Sequence, residues 1–409
     1  MLNRLKVAAA AAGLAASVLG VGSAASASTK GASAPGVTAK SITLGLVESE
    51  TGPASSTFGD SATGVKARID LQNAEGGVHG RKLKLVVADD QSTSTGNLLA
   101  VQDLVATKDA FGIMSDNAVL VGGSNYLLKA GVPVTTLGST ITATEPQYTN
   151  QFEWSQGQTP SPPTTEIGNL FKKLGVKNVA VLEYSDPQDS ANYSVVEKGV
   201  QASGLHVCYG SDSLPIGTVN FTSVVLALKQ SNCQGVYFPA VESSDVALAT
   251  AIKQAGVNVK QVYVTGYDQA FLDNTAARAA AQGQYFTATV PLDLPTKPVA
   301  QFYAALKKYD PAYKGGVASF GASSGWMIAD EMIEGLQLAG ANPTRASFIA
   351  NLAKDKSYTG GGLVPAVDLS DRWKLVGPQC AYFAQLKGSK FVPFPANNKP
   401  VCGKVVGAS

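Results

Sequence analysis

Charge is scarce in this chain. Only 15% of its 409 residues are Asp, Glu, Lys or Arg, against roughly 25% in an average soluble domain. The small excess of basic residues is carried by Arg4 and Lys6, so from Ser28 onward the chain is neutral. There is no basic run, and with it goes the electrostatic footprint that nucleic acid or an anionic membrane would read. Histidine is scarcer still, with His79 and His206 alone. Four cysteines without a Cys-x-x-Cys pair leave a metal site almost nothing to draw on. No metal and no cofactor are expected. Neither Gly-x-x-x-x-Gly-Lys-Ser/Thr nor Gly-x-Gly-x-x-Gly follows a strand-like run, so the loops that cradle phosphates are missing. No apolar run reaches the ~20 residues of a membrane span. Hydrophobic residues nevertheless make up 45% of the chain, enough to fill the cores of two or three domains.

What is present begins with an export signature. Met1 to Lys6 carries two positive charges, Val7 to Val21 is apolar, and Ala25-Ser26-Ala27 gives a small-x-small cleavage pattern. This predicts a signal peptide over residues 1–27, followed by a flexible Ser/Gly/Ala-rich spacer over 28–40. No Arg-Arg pair occurs, which favours the general secretory route over twin-arginine export. No Cys precedes Cys208, so lipid attachment at the cleavage point is excluded. A secreted, extracytoplasmic protein with neither lipid nor transmembrane anchor is expected. In that compartment an even cysteine count suggests disulfides. Three pairings are open, with four buried free thiols as the alternative. The sequence-local pairing, Cys208 with Cys233 and Cys380 with Cys402, is the one expected, each bridge contributing ~3 kcal/mol in the chain-entropy account.

Strand-like and helical patterns then alternate twice. Ile42–Val47, Leu83–Ala88, Ala110–Met114 and Val132–Leu137 read as strands, with helical spacing between them, as at Ala62, Val65 and Ile69. A second series has strands at Asn178–Glu183, Leu205–Tyr209, Gly235–Pro239 and Gln261–Thr265. Its helices are expected over Ser190–Ala202, Phe221–Gln230 and Ser244–Ala255. Such alternation predicts an α/β protein with two doubly wound parallel sheets. The seam is expected at the proline cluster of Gln156–Pro163. Ligands of open parallel sheets sit beyond the carboxyl ends of the strands. Facing ends would line a cleft with Glu48–Thr51, Ser115–Asn117, Gly138–Thr140, Tyr184–Asp186, Val241–Ser243 and Gly266–Asp268. This set holds hydroxyls and acids but no Lys, Arg or His.

Catalytic readings find little support. Gly321-Ala322-Ser323-Ser324-Gly325 matches the nucleophile elbow of a serine hydrolase. No His follows Ser323 in the chain, and the segment runs into Trp326-Met327-Ile328-Ala329, which reads as a packed helix. Asp89-Asp90 ends a strand, but neighbouring strand residues point to opposite faces and do not converge on one cation. A loop or cap role is expected instead. The chain is not expected to be an enzyme.

Ile42 to Asp90 resembles the start of the branched-chain amino acid-binding (leucine-binding) family, the type I solute-binding proteins of ABC transporters. The resemblance is carried by Thr51-Gly52-Pro53, Phe58-Gly59, the string Asn73-Ala74-Glu75-Gly76-Gly77-Val78-His79-Gly80-Arg81-Lys82, Asp89-Asp90 and Gly131-Val132-Pro133-Val134. It implies a Venus-flytrap fold with three crossovers, near Gln156, Val290 and Pro365. Lobe 1 would comprise 41–156 and 290–364, and lobe 2 would comprise 157–289 and 365–409. It also implies a monomer that closes on a small polar solute, an amino acid or amide-like compound, and delivers it to the permease subunits of an importer. A secreted serine hydrolase and a sensor lobe for a signalling partner are the alternatives. By resemblance, Ser139 and Thr140 match the hydroxyl loop that holds a ligand carboxylate, and Asp268, beside Tyr267, matches the acid that holds an ammonium. Ser115, Asp116, Asn117 and Glu242 complete the candidate site. Asp268 has a second reading, as the N-cap of a helix beginning near Gln269.

Overall fold

The computed structural model describes residues 34–137, 147–154, 162–185, 187–291, 293–372 and 379–407. The first sheet is built from β1 (Ser41–Glu48), β2 (Lys82–Asp89), β3 (Ile113–Asp116), β4 (Val134–Thr136) and β5 (Gln151–Glu153), in the order β2-β1-β3-β4-β5. All its pairings are parallel. Interior strand β1 is buried along nearly its whole length, as a strand covered on both faces must be. Edge strand β2 alternates more and is the most exposed of the five. The segment read as a strand from Ala110 enters the sheet only at Ile113.

The connecting helices are α1 (Ser55–Phe58), α2 (Ser61–Ala74), α3 (Ser94–Gln102) and α4 (Val121–Lys129). The second series supplies α5 (Glu166–Lys173), α6 (Pro187–Ala202), α7 (Thr222–Gln230), α8 (Glu242–Gln254), α9 (Gln269–Asp273) and α10 (Thr275–Ala280). Its strands are β6 (Asn178–Tyr184), β7 (His206–Leu214), β8 (Gly235–Phe238), β9 (Lys260–Tyr263) and β10 (Tyr285–Thr287).

The chain then returns to the first sheet. Helices α11 (Lys297–Tyr309) and α12 (Phe320–Leu338) pack on α2, and α13 (Arg345–Leu352) packs on α12. It finally crosses back as β11 (Gln379–Ala381), β12 (Phe383–Lys387), β13 (Lys390–Phe394) and β14 (Val401–Gly403). Strands β12 and β13 extend the second sheet in antiparallel sense, in the order β13-β12-β10-β9-β8-β6-β7. That hairpin has no counterpart in the sequence reading, because its residues alternate only weakly. The result is two α/β lobes joined by three crossovers.

Helix α12 is the central post of the first lobe. Sixteen of its 19 residues are buried, the pattern of a helix covered on all sides. It crosses α2 at contact distance because each helix presents a glycine to the other's backbone there. A Cβ on Gly64 would lie 1.8 Å from the Ala322 carbonyl oxygen, and one on Gly325 would lie 2.2 Å from that of Ser61. The same crossing is stapled by charge. Arg68 Nε donates to Asp330 Oδ1 at 2.7 Å, its guanidinium lies over Trp326, and Tyr358 donates to the Met327 carbonyl.

The cysteines pair locally. Cys208–Cys233 joins β7 to the turn after α7, and Cys380–Cys402 joins β11 to β14. Among the described residues no helix is long and apolar enough to cross a membrane, and no group of His, Cys, Asp or Glu could hold a metal ion.

Candidate functional site

In a parallel sheet the helix that follows a strand starts at that strand's carboxyl end. Here the starts of α2, α8, α9 and α12 gather beside the carboxyl ends of β1, β3, β8 and β9. The two lobes touch at this point. The backbone N–H of Glu242 donates to Thr57 Oγ1 at 3.2 Å, and that of Ser243 reaches Ser56 Oγ at 3.4 Å. A crevice is lined by residues of both lobes, among them Thr265, Tyr267, Thr287, Thr289, Ser319 and Ser323.

Acids dominate this region. Glu48 and Asp116 stand opposite each other on adjacent strands β1 and β3. Glu48 Oε2 accepts from the Ala62 N–H at 2.8 Å, in the first turn of α2. Burial pushes the Glu48 carboxyl up to about 7, and Asp116, Glu50 and Asp60 add to it. Asp116 is fully buried and accepts from the Ser324 hydroxyl, but its Oδ1 has no partner. Its carboxyl is likewise raised to about 7, first by burial. Asp60, just before α2, accepts from the Ser319 hydroxyl, and desolvation raises its carboxyl too.

The second lobe answers with two more. Asp268 caps α9, its Oδ1 accepting from the Phe271 N–H at 2.6 Å, and is only 5% exposed. Burial lifts it to about 6, against the lowering effect of the cap. Glu242, the first residue of α8, is pushed up to about 8 by burial and then by the charges of Asp268 and Asp60. Asp60 therefore acts electrostatically across the cleft on both second-lobe acids.

The remaining sequence candidates fall into three groups. Ser115 and Asn117 are buried and turned to local bonds. Asn117 Nδ2 donates to Ser115 Oγ at 2.8 Å, and Asn117 Oδ1 accepts from the Val119 N–H at 2.9 Å. Tyr267 is 8% exposed and packs its ring on Phe391, while part of it lines the crevice. Ser139 and Thr140 lie outside the described residues, as do Gly138 and Asp186. Asp60 and Ser319 are among the cleft residues that escaped sequence reading. Each immediately precedes a helix, so each reads as an ordinary cap. Ser319 indeed accepts from the Ala322 N–H at 3.0 Å, whereas Asp60 makes no side-chain cap bond.

Other motifs have structural places. Asp89 binds Thr51, and Asp90 accepts from Ser49 at 2.8 Å and from Asn97 at 3.2 Å, so both hold loops. Ser323 is 2% exposed and sits in the first turns of α12, with no strand-to-helix elbow around it.

Residues 41–390 match the periplasmic binding protein family, and the chain belongs to it. It is 28% identical over 258 residues to a Leu/Ile/Val-binding protein homolog of Brucella melitensis, covering 60% of this chain and 67% of that one. A second homolog, from Brucella abortus, is 28% identical over 218 residues, and the match spans about half of each, 48% and 51%. Among solved structures, an R. palustris ABC transporter solute-binding protein in complex with benzoate superposes with a TM-score of 0.72 at 19% identity. That match covers 90% of this chain and 99% of the other. A branched-chain amino acid transporter substrate-binding protein from Streptococcus pneumoniae, in complex with isoleucine, gives 0.69 at 18% identity over 86% and 98%. A fatty acid ABC transporter substrate-binding protein from Thermomonospora curvata gives 0.70 at 16% identity over 90% and 97%. These three likenesses establish the fold.

Proposed function

We propose that this chain is the extracytoplasmic solute-binding component of an ABC importer, closing its two lobes on a small polar solute. The carrying observation is the direct meeting of α1 and the start of α8 over polar residues from both sheets. Membership of the periplasmic binding protein family supports it, as do the names of the Brucella relatives. In this reading residues 1–27 direct export, and the mature monomer carries lobes of 41–156 with 290–364 and of 157–289 with 365–409. The loaded form docks on permease subunits. An amino acid or amide-like compound fits the hydroxyls and acids of the cleft, and Asp268 serves both as cap and as ligand partner.

Nothing favours the hydrolase alternative, because Ser323 is helical and no His follows it in the chain. A thermal-shift screen of the purified mature protein across amino acids, amides and small organic acids and bases tests the proposal. A true solute at 100 times its Kd should stabilise the protein by ~2.7 kcal/mol, without turnover. If every compound leaves the melting transition unmoved, the proposal fails.

A further inference from the structure

The cleft is chemically one-sided. From the first lobe come Glu48 and Asp116, opposite each other on β1 and β3, and Asp60 at the start of α2. From the second come Glu242, whose N–H reaches Thr57 of the first lobe, and Asp268 at the start of α9. Their charged or polar company consists of one another, Glu50, Asp310, the hydroxyls of Ser61, Ser319 and Ser324, and a few backbone N–H groups. None of the principal influences on the five comes from Lys, Arg or His. Residues 138–146 and 155–161 contain no such residue either, and residues 373–378 contain one, Lys374.

Acids elsewhere among the described residues differ from one another. Asp330 has Arg68, Asp245 Oδ1 has the Gln261 amide at 2.9 Å while its Oδ2 has no partner, and Glu331 feels the charge of Arg372 with neither of its oxygens hydrogen-bonded. A buried carboxyl without a cation or a full set of donors is costly. Asp116 makes the deficit concrete: at zero exposure it meets only hydroxyls, that of Ser324, which donates to one oxygen, and that of Ser61 nearby, with no cation beside it. A complement supplied from outside must bring donors and positive charge.

Building on the solute-binding reading above, we infer that the solute is a net-cationic organic molecule bearing ammonium or guanidinium groups, seated between Glu48, Asp60 and Asp116 of the first lobe and Glu242 and Asp268 of the second. Such groups have no acceptor lone pairs to clash with carboxylates, and each N–H to a carboxylate is a charge-assisted bond about twice as strong as a neutral one. A carboxylate ligand would meet the opposite situation, with like charge facing it across a desolvated cleft.

The inference has a thermodynamic signature. Acids that hold protons in the free cleft must release them when a cation arrives. Cation binding should therefore expel protons and strengthen as pH rises from about 6 to about 8, the range of the raised groups. A carboxylate solute would show the reverse trend. Calorimetry on the mature protein, in buffers of differing ionisation enthalpy, with putrescine, spermidine, agmatine, L-isoleucine and benzoate decides between them. Expected is one-to-one binding of a cationic probe, about tenfold or more tighter at the higher pH, with proton release. Asp60→Asn and Glu242→Gln should each weaken it by about tenfold, the loss of one charge-assisted contact.

Binding of isoleucine or benzoate with the cations inert, or affinity that falls as pH rises, overturns the cation inference and leaves the solute-binding reading standing. Non-saturating cation uptake, indifferent to both variants, also overturns it. A screen in which probes of every charge fail counts against the solute-binding reading itself.

Discussion

Helix α2 meets acids at both ends of its crossing with α12, and the two ends are handled in opposite ways. Toward its middle, Arg68 reaches Asp330 at 2.7 Å beneath Trp326 and beside Tyr358, so charge is matched inside the lobe. At its start, Asp60, Glu48 and Asp116 crowd together with hydroxyls and N–H groups only. The first arrangement serves the fold. The second is costly to the fold and makes sense where a partner from solution completes it. Under the solute-binding proposal, the acids beside these strand ends and helix starts are the ones a solute would complete, while Arg68 already completes Asp330.

The comparison can be broken most severely at the crossing that carries both ends. Gly325→Val puts a branched side chain where even a Cβ would lie 2.2 Å from the Ser61 carbonyl oxygen. The helices must separate, at a cost of several kcal/mol, about 3 or more by the overpacking and backbone-shift scale. A chemical-denaturation midpoint near that of wild type would contradict this. Removing the matched charge comes next. Arg68→Met leaves Asp330, with a side chain 12% exposed, without its cation, and should cost ~2–4 kcal/mol, toward the range for a broken buried pair.

The unmatched end should respond to pH. Glu242 is raised from its ordinary value to about 8 and Asp268 to about 6, so the folded protein holds protons that the unfolded chain releases. Stability of the ligand-free protein should therefore fall as pH rises from about 4.5 through about 8, the window between unfolded and folded values. Glu242→Gln should flatten that fall, and a melting temperature that climbs from pH 5 to pH 8 in both proteins would refute it. The smallest change in stability is expected for Asp268→Asn. Asn caps a helix about as well as Asp, so stability should move by less than ~0.5 kcal/mol. Affinity for an ammonium-bearing ligand should still drop about ten- to hundred-fold. An unchanged Kd would leave Asp268 as a cap alone.

Much of this organisation could be read from residues. The apolar, β-branched runs at Ile42–Val47 and Asn178–Glu183 became interior strands β1 and β6. The short spacing of Cys208 to Cys233 and of Cys380 to Cys402 matched the bridges that form. The site was less legible. Glu48, Asp116, Glu242 and Asp268 were placed at strand ends by architecture, but Asp60 and Ser319 looked like routine helix caps. Only their meeting, 259 residues apart in the chain, sets them in the cleft.

The sequence by itself determined that two β-α series would build two parallel sheets, since period and turn chemistry are local properties of the chain. It determined too that the strand-end loops would be short of positive charge. Tertiary structure alone decided which acids are matched. Pairing depends on distance across a helix crossing and on water removed by lobes that touch, and neither quantity is written in any local stretch.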